Sequence, residues 1–374
     1  MRNYLKNYQM QITAISPIHV GDGKQMGKKE YIQLRPQGPV LVPDLQKMFR
    51  YLSMMHKDSA YSSFMLGNSK DGLGQWLIQQ KIDKNRIESW TQYRMDSGDA
   101  FIKVNNGKNG TPKDIRCFVK DAYGNPYVPG SGMKGMIRTA LLAKEIRDNP
   151  DSFDSLLDEV FLSARGEGRR NFFLQKETRN LETEAFHSLT RDVKRKSNAI
   201  NSIMSGLIVS DSQPIAPENL ILTQKIDYSL DRKENPIPIL REALAPGTKI
   251  SFSITIDTDL CKYTIEDILE ALDDFQMDCY KYFHVRFGRG TKNDGIVWLG
   301  GGTGFLSKTI IYSAFEERGV RVTDSIFKTT LGNNYYKHKH DRDLGVRLAP
   351  HVCKCTRYHG KLYDMGMGKI EVVS

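Results

Sequence analysis

The stretch that most constrains this chain is Val-Pro-Gly-Ser-Gly-Met-Lys-Gly-Met-Ile-Arg-Thr-Ala-Leu-Leu at 128–142, a short turn that feeds straight into an amphipathic helix. Met133, Met136, Ile137, Ala140 and Leu141 recur at helical spacing and predict one inward face. Ser131 fits an N-cap, and the flanking glycines leave the first backbone N–H groups open to a ligand. Lys134 falls in the first turn, where the helix dipole disfavours a cation, and Arg138 follows at i+4, where like charges repel. A helix without a ligand gains nothing from this arrangement. A phosphate at the helix mouth, flanked by Lys134 and Arg138, turns both penalties into attraction. A solvated basic face on an ordinary capped helix is the competing reading.

Charge points the same way. The chain has 374 residues with 54 Lys+Arg against 44 Asp+Glu, a formal net charge of +10, so an anionic partner is expected and nucleic acid is the commonest. Residues 165–196 carry nine basic and five acidic side chains, and residues 318–361 carry ten against three. A hydrophobic content of 39% fits a folded chain long enough for two domains. No run of about 18 apolar residues occurs, and the first residues lack the apolar core of a signal peptide, so a cytoplasmic protein without a membrane partner is expected. Five cysteines over this length do not describe a disulfide framework.

Residues 8–15 alternate as a half-exposed strand that ends at Ser16-Pro17. Ile18-His19-Val20-Gly21-Asp22-Gly23 reads as a tight glycine turn, and with Lys24, Lys28, Lys29 and a second strand over 30–34 it predicts a hairpin with a basic tip. A third strand at 40–42 leads to Asp44 as a helix cap, with mostly polar helix on to about Met95. Residues 96–114 read as a loop before a strand at 115–119. Further strands are predicted at 206–210, 219–228, 239–244 and 249–256, with the polar stretch 231–236 at the tip of a protruding hairpin. Thr264 to Asp267 has the form of a capping box at the head of a helix running toward Phe287. Strands framing helices in this order imply an α+β fold with antiparallel sheets.

The second unusual stretch is Gly288-Arg289-Gly290 and then residues 298–309, with four glycines in the five residues from Gly300. Such a loop lets backbone approach a ligand closely, and Arg289 and Lys308 make that ligand a phosphate. It is no P-loop, because Ser307 stands where the motif needs glycine before its lysine. A structural glycine turn is the alternative. His19 beside a glycine turn could act as general base in RNA cleavage, but one histidine more often has a structural or RNA-contacting part. His351, Cys353, Cys355 and His359 have the ligand types of a zinc site, yet C-x-C with single flanking histidines lacks the specificity of paired C-x-x-C, and neither metal nor cofactor is expected. Residues 335–340 read as a basic aromatic surface.

Residues 16–21, residues 129–138 and the late glycine-rich loop together resemble the RAMP superfamily of CRISPR effector proteins. The closing residues 363–370 and the loop 300–308 are most similar to the fifth-subunit family of type III-A (Csm) systems. The resemblance implies two ferredoxin-like (RRM-like) domains, which places an N-terminal one with a helical insertion at 1–205 and a C-terminal one with the glycine loop at 206–374. It implies a non-catalytic subunit that binds CRISPR RNA, caps the assembly near the RNA 3′ end and is needed for crRNA maturation in antiviral defence. Its partners would be the other Csm subunits and host nucleases that trim the RNA. RNA contacts are then expected from His19, Gly21, Lys28, Lys29, Ser131, Lys134, Arg138, Arg232, Lys233, Arg241, Arg289, Gly301, Gly302, Thr303 and Lys308. By the same comparison residues 225–241 form a thumb-like hairpin. Relatives that cut target RNA carry an aspartate about where Gly27-Lys28-Lys29-Glu30 stands, so no target cutting is expected, with Asp22 the nearest aspartate. The alternative is a metal-independent endoribonuclease that processes CRISPR RNA with His19 as general base.

Overall fold

β1 (Leu5–Ala14) alternates because it is half covered, with Met10, Ile12 and Ala14 buried on one face. The computed structural model to which it belongs describes residues 4–35, 38–101, 114–166 and 172–373. After β1 come β2 (Gly21–Met26), β3 (Ile32–Gln33) and β4 (Val40–Pro43). Four short helices follow, α1 (Leu45–Met54), α2 (Asp58–Leu66), α3 (Leu73–Gln79) and α4 (Lys84–Ser89), and then β5 (Thr91–Met95) and β6 (Ile115–Phe118). The expected loop tip around Asn105 to Gly110 lies outside the described residues. Helices α5 (Gly130–Asp148), α6 (Pro150–Ala164) and α7 (Gln175–Phe186) precede β7 (Leu207–Val209), β8 (Leu220–Ser229), β9 (Glu234–Leu244) and β10 (Lys249–Asp257). Then come α8 (Ile265–Tyr282), β11 (Ile296–Trp298), the helices α9 (Ile311–Phe315), α10 (Gly319–Leu331), α11 (Asn333–Lys337) and α12 (Asp343–Val346), and the strands β12 (Val352–Tyr358), β13 (Lys361–Asp364) and β14 (Met367–Val372).

The expected α+β class with antiparallel sheets is what the chain adopts. One sheet has the antiparallel order β11-β14-β1-β10-β7. Within it the path β1-α5-β7-β10-α8-β14 is a β-α-β-β-α-β unit in spatial order 4-1-3-2, the split βαβ arrangement of a ferredoxin-like fold. Its two helices pack together and are tied by Lys144 to Glu270 at 2.9 Å and by Arg147 to Asp274 and Asp278 at 2.6 and 2.9 Å. The capping box of α8 is present, with Thr264 and Asp267 satisfying each other's backbone N–H groups. A second sheet has the order β13-β12-β8-β9-β6-β2, antiparallel apart from the β6–β9 pair. Both sheets take strands from either side of residue 205, so the segments 1–205 and 206–374 interleave instead of following one another.

The helical insertion is a satellite. Strands β3-β4-β5 and helices α1–α4 close over Ile32, Leu41, Met48, Leu52, Trp76 and Trp90, a core of their own, and Asp44 caps α1 as expected. Two hairpin expectations are corrected. β2 pairs with β6 and β3 with β4, because β2 (Gly-Asp-Gly-Lys-Gln-Met) has no apolar face and Ile32 is drawn into the insertion core. The β8–β9 hairpin does not stand free either: β12 pairs along β8 up to Ser229, leaving Asp231, Arg232 and Lys233 exposed at the tip. Among the described residues no helix is long and apolar enough to cross a membrane.

Candidate nucleic-acid interface

The glycine turn after β1, the start of α5 and the late glycine loop meet at one cleft of about 430 Å³. Val20 and Gly21 form one wall, Gly132, Gly135 and Met136 a second, and Gly300, Gly301 and Lys308 a third. Gly132 and Gly135 face open space, so a ligand can lie directly on the helix backbone there. The glycine loop reaches His19 by its main chain, Gly301 N–H donating to the His19 carbonyl at 2.6 Å. Gly300 has φ +85°, and a Cβ there would overlap that same carbonyl, so the close crossing requires glycine. Thr303 is buried, and its hydroxyl ties the loop back to the Gly300 carbonyl at 3.4 Å.

Behind the cleft lies a charged pair that sequence reasoning missed. The Glu242 carboxylate is fully buried and receives the Tyr93 hydroxyl at 2.5 Å, the Phe118 N–H at 2.7 Å and the Lys120 ammonium. Its backbone carbonyl accepts from His19 Nδ1 at 2.6 Å. A carbonyl can only accept, so the His19 proton sits on Nδ1 and Nε2 carries a free lone pair next to Gly21 and Gly301. Burial, and then the charges of Arg241 and Arg116, lower the His19 pKa to about 4, leaving the ring neutral near pH 7.

Arg241 lies under the glycine loop. A Cβ on Gly302 would sit 2.8 Å from its Nη1, and the residue is 8% exposed. Burial first and Arg116 second lower its pKa to about 10. Arg116 is its neighbour across the parallel β6–β9 pair. Lys308 is also lowered, by desolvation and then by Arg241. Among the described residues none of Arg116, Arg241 and Lys308 has a carboxylate within ion-pair distance. The Ser307 hydroxyl on the cleft wall is buried without a hydrogen-bond partner among the described residues. Cations outside ion pairs, exposed helix backbone and an unfilled hydroxyl are features that suit an anion.

Residues 11–307 match the profile of the RAMP superfamily. The chain belongs to the RAMP superfamily. This RAMP protein is 25% identical over 394 residues to the CRISPR system Cms protein Csm5 of Mycobacterium tuberculosis (strain CDC 1551 / Oshkosh), covering 100% of this chain and 99% of that one. It is 27% identical over 320 residues to the protein of the same name from Streptococcus thermophilus, covering 84% of this chain and 83% of the other. Its fold is similar to a chain of a Csm–crRNA–target RNA ternary complex of a type III-A CRISPR-Cas system, solved by cryo-EM, with TM-score 0.61, 18% identity and coverage of 98% and 100%. The crystal structure of T. onnurineus Csm5 gives TM-score 0.60 at 19% identity, covering 96% of this chain and 99% of that one.

Several basic residues of the RAMP protein singled out from sequence are occupied by the chain itself. Lys134 Nζ donates to the carbonyls of Met204 and Leu207, both at 2.7 Å, and Arg138 pairs with Glu182 on α7. The helix thus gains from both cations without a ligand, contrary to the expectation. Ser131 is not the N-cap: α5 starts at Gly130 after Pro129, and Asp211 accepts the Gly130 N–H at 2.7 Å, bringing a carboxylate to the helix head. Lys29 Nζ donates to the carbonyls of Phe64, Met65 and Gly67, capping the end of α2, and Lys28 reaches the carbonyl of Lys70. Arg289 pairs with Asp364 and donates to the Leu362 carbonyl at 3.1 Å, away from the cleft. At the hairpin tip Lys233 pairs with Asp231 at 2.6 Å, while Arg232 is exposed in a left-handed turn with φ +63°. The four residues weighed as zinc ligands are not brought together, since His351 contacts Asp343 and His359 contacts Asp96.

Proposed function

We propose that this chain is the Csm5-type subunit of a type III-A CRISPR effector complex, binding crRNA near its 3′ end, supporting its maturation and cutting nothing itself. The observation that carries the reading is Lys308 on the wall of a cleft lined by glycine backbone, with Arg241 beneath the glycine loop at Gly302 and Arg116 beside Arg241 across the β6–β9 pair, none of the three in an ion pair among the described residues. Such a site recognises phosphate and sugar backbone in preference to base edges, which suits a subunit that must accept guides of any sequence. The RNA contacts then fall to His19, Gly21, Gly301, Gly302, Arg241 and Lys308, with Arg116 added. Lys28, Lys29, Lys134, Arg138 and Arg289 hold the protein's own carbonyls and carboxylates instead. Its partners are the crRNA and the other Csm subunits, and trimming is left to nucleases outside the complex.

Replacing Arg241 by Met and Lys308 by Ala is expected to weaken RNA binding and to flatten the log–log salt dependence by about 1.4 for a single strand, the share of two phosphate contacts. A salt slope equal to that of the parent protein places the RNA elsewhere. The second test concerns catalysis. With Nδ1 committed to a carbonyl and a pKa of about 4, His19 is a weak base near neutral pH and has no dissociable proton to donate as an acid. Purified protein is therefore expected to leave RNA intact with or without chelator, and His19→Ala to change affinity by about 1 kcal/mol. Specific cleavage that disappears in His19→Ala installs the endoribonuclease reading in its place.

A further inference from the structure

Beside Arg289, in the segment between α8 and β11, there is a second constellation, remote in chemistry from the anion cleft. β12 places Cys353 and Cys355 on one buried face, two residues apart along the strand, and β13 brings Asp364 directly opposite Cys355. The short turn after α8 adds His284. All four are buried, at 1%, 2%, 6% and 4% exposure in that order. His284 Nδ1 lies 3.8 Å from the Cys353 sulfur, and the Asp364 Oδ1 lies 3.7 Å from Cys353 Sγ and 3.6 Å from Cys355 Sγ.

We propose that His284, Cys353, Cys355 and Asp364 form a structural zinc site that pins the turn after α8 to β12 and β13. Zinc bonds of about 2.3 Å to sulfur and about 2.0–2.1 Å to nitrogen or oxygen give a tetrahedron whose edges are about 3.5–3.8 Å, the range of the three separations above; the donor atoms of His284, Cys353 and Asp364 all lie within 4.8 Å of one another, and Cys355, outside that group, completes the set by rotating its thiol toward it. Two thiolates and one imidazole are the donors that dominate structural zinc sites, and the Asp364 carboxylate takes the fourth position. Charge closes as well. Two thiolates and one carboxylate carry three negative charges, zinc supplies two positive ones, and Arg289 on Asp364 supplies the third. On binding, the two thiol protons leave to solvent and two Zn–S bonds form.

The surroundings hold the ligands in place. The His284 ring stacks on Trp298 at 4.6 Å with an interplanar angle of 4°, Trp298 Nε1 donates to Gln276 at 3.0 Å, and Gln276 donates to the Thr291 carbonyl at 2.6 Å. Gly290 N–H donates to the other Asp364 oxygen at 3.3 Å. Gly290 itself has φ +77°, and a Cβ there would come within 2.7 Å of the His284 Cβ, so the turn is shaped around that histidine. Orienting partners of this kind accompany metal ligands. The other histidine cluster differs: His340 and His351 both turn Nδ1 onto Asp343, a hydrogen-bonded set without sulfur.

The full chain, purified reduced and passed through metal-free buffer, is expected to hold one zinc per chain by elemental analysis, and Cys353→Ser with Cys355→Ser to lose it. Cobalt(II) in place of zinc should give the intense thiolate-to-metal absorption and the visible bands of a tetrahedral site. If the double variant does not fold, the cobalt spectrum of the parent protein decides alone. Less than about a tenth of a zinc per chain after reconstitution, zinc retained by the folded double variant, or cobalt bound without a thiolate band would each overturn the proposal.

Discussion

Lys120→Met is expected to lower the free energy of unfolding by about 3–5 kcal/mol, the scale for breaking a buried ion pair from one side. The Glu242 carboxylate has no exposed surface, so loss of the Lys120 ammonium leaves a buried charge held only by the Tyr93 hydroxyl and the Phe118 N–H. Glu242→Gln makes the reciprocal change and is expected to destabilise in the same direction, by stranding Lys120. Urea titration measures both, as a shift of the midpoint at unchanged slope. Because the Glu242 carbonyl holds His19 and Arg241 is its neighbour in the chain, weaker RNA binding should accompany the loss of stability. A loss below about 1 kcal/mol in both variants would mean that the pair is solvated and does not organise the cleft.

The second large effect is on pH. In the unfolded chain His19 takes up a proton near the ordinary histidine value of 6.5, whereas in the folded protein it does so only at about 4. Between these values the unfolded chain binds more protons, so stability present above pH 6.5 is lost as the pH falls toward 4. The gap corresponds to about 3 kcal/mol at the acid end of the window. Carboxylates also titrate there, so the measurement is the difference between the parent protein and His19→Gln, followed by urea midpoints from about pH 7.5 to about pH 4.5. The variant should show the flatter profile. Parallel profiles would mean that the ring is solvated in the folded protein.

What the sequence made legible was periodic or local. The alternation in β1, the Asp44 cap, the stripe of α5 and the capping box of α8 all rest on neighbours within a few residues, and all are in the structure. The glycine turn after β1, the start of α5 and the late glycine loop meet at one cleft, a convergence that no local pattern announced. The partners of the basic residues were not legible. Lys134 is satisfied by carbonyls some seventy residues on, Arg138 by a different helix and Arg289 by a strand seventy-five residues away, and nothing local distinguishes such a cation from a free one. Ser131 failed as a cap for the same reason, since the carboxylate that replaces it is Asp211. Glu242 did leave a trace. Arg241-Glu242 interrupts an otherwise apolar strand between Ile239 and Leu244, and a carboxylate in such a strand is rarely fully buried unless it is paired.

The place of β1 between β10 and β14 bears on synthesis. Met10 pairs with Val372 and Gln11 with Glu371, partners some 360 residues apart. At about 5–20 residues per second, a ribosome that has made β1 needs roughly 20–70 s more before β14 exists. For that interval one edge of β1, with Ile12 and Ala14 among its buried residues, has no strand to accept it. An open apolar edge is a template for pairing with other chains. That exposed edge is the point at which a holding factor would act on the nascent protein until its second neighbour arrives. Moving β14 ahead of β1 by circular permutation should shorten that wait and raise the soluble yield while keeping the β1–β14 register.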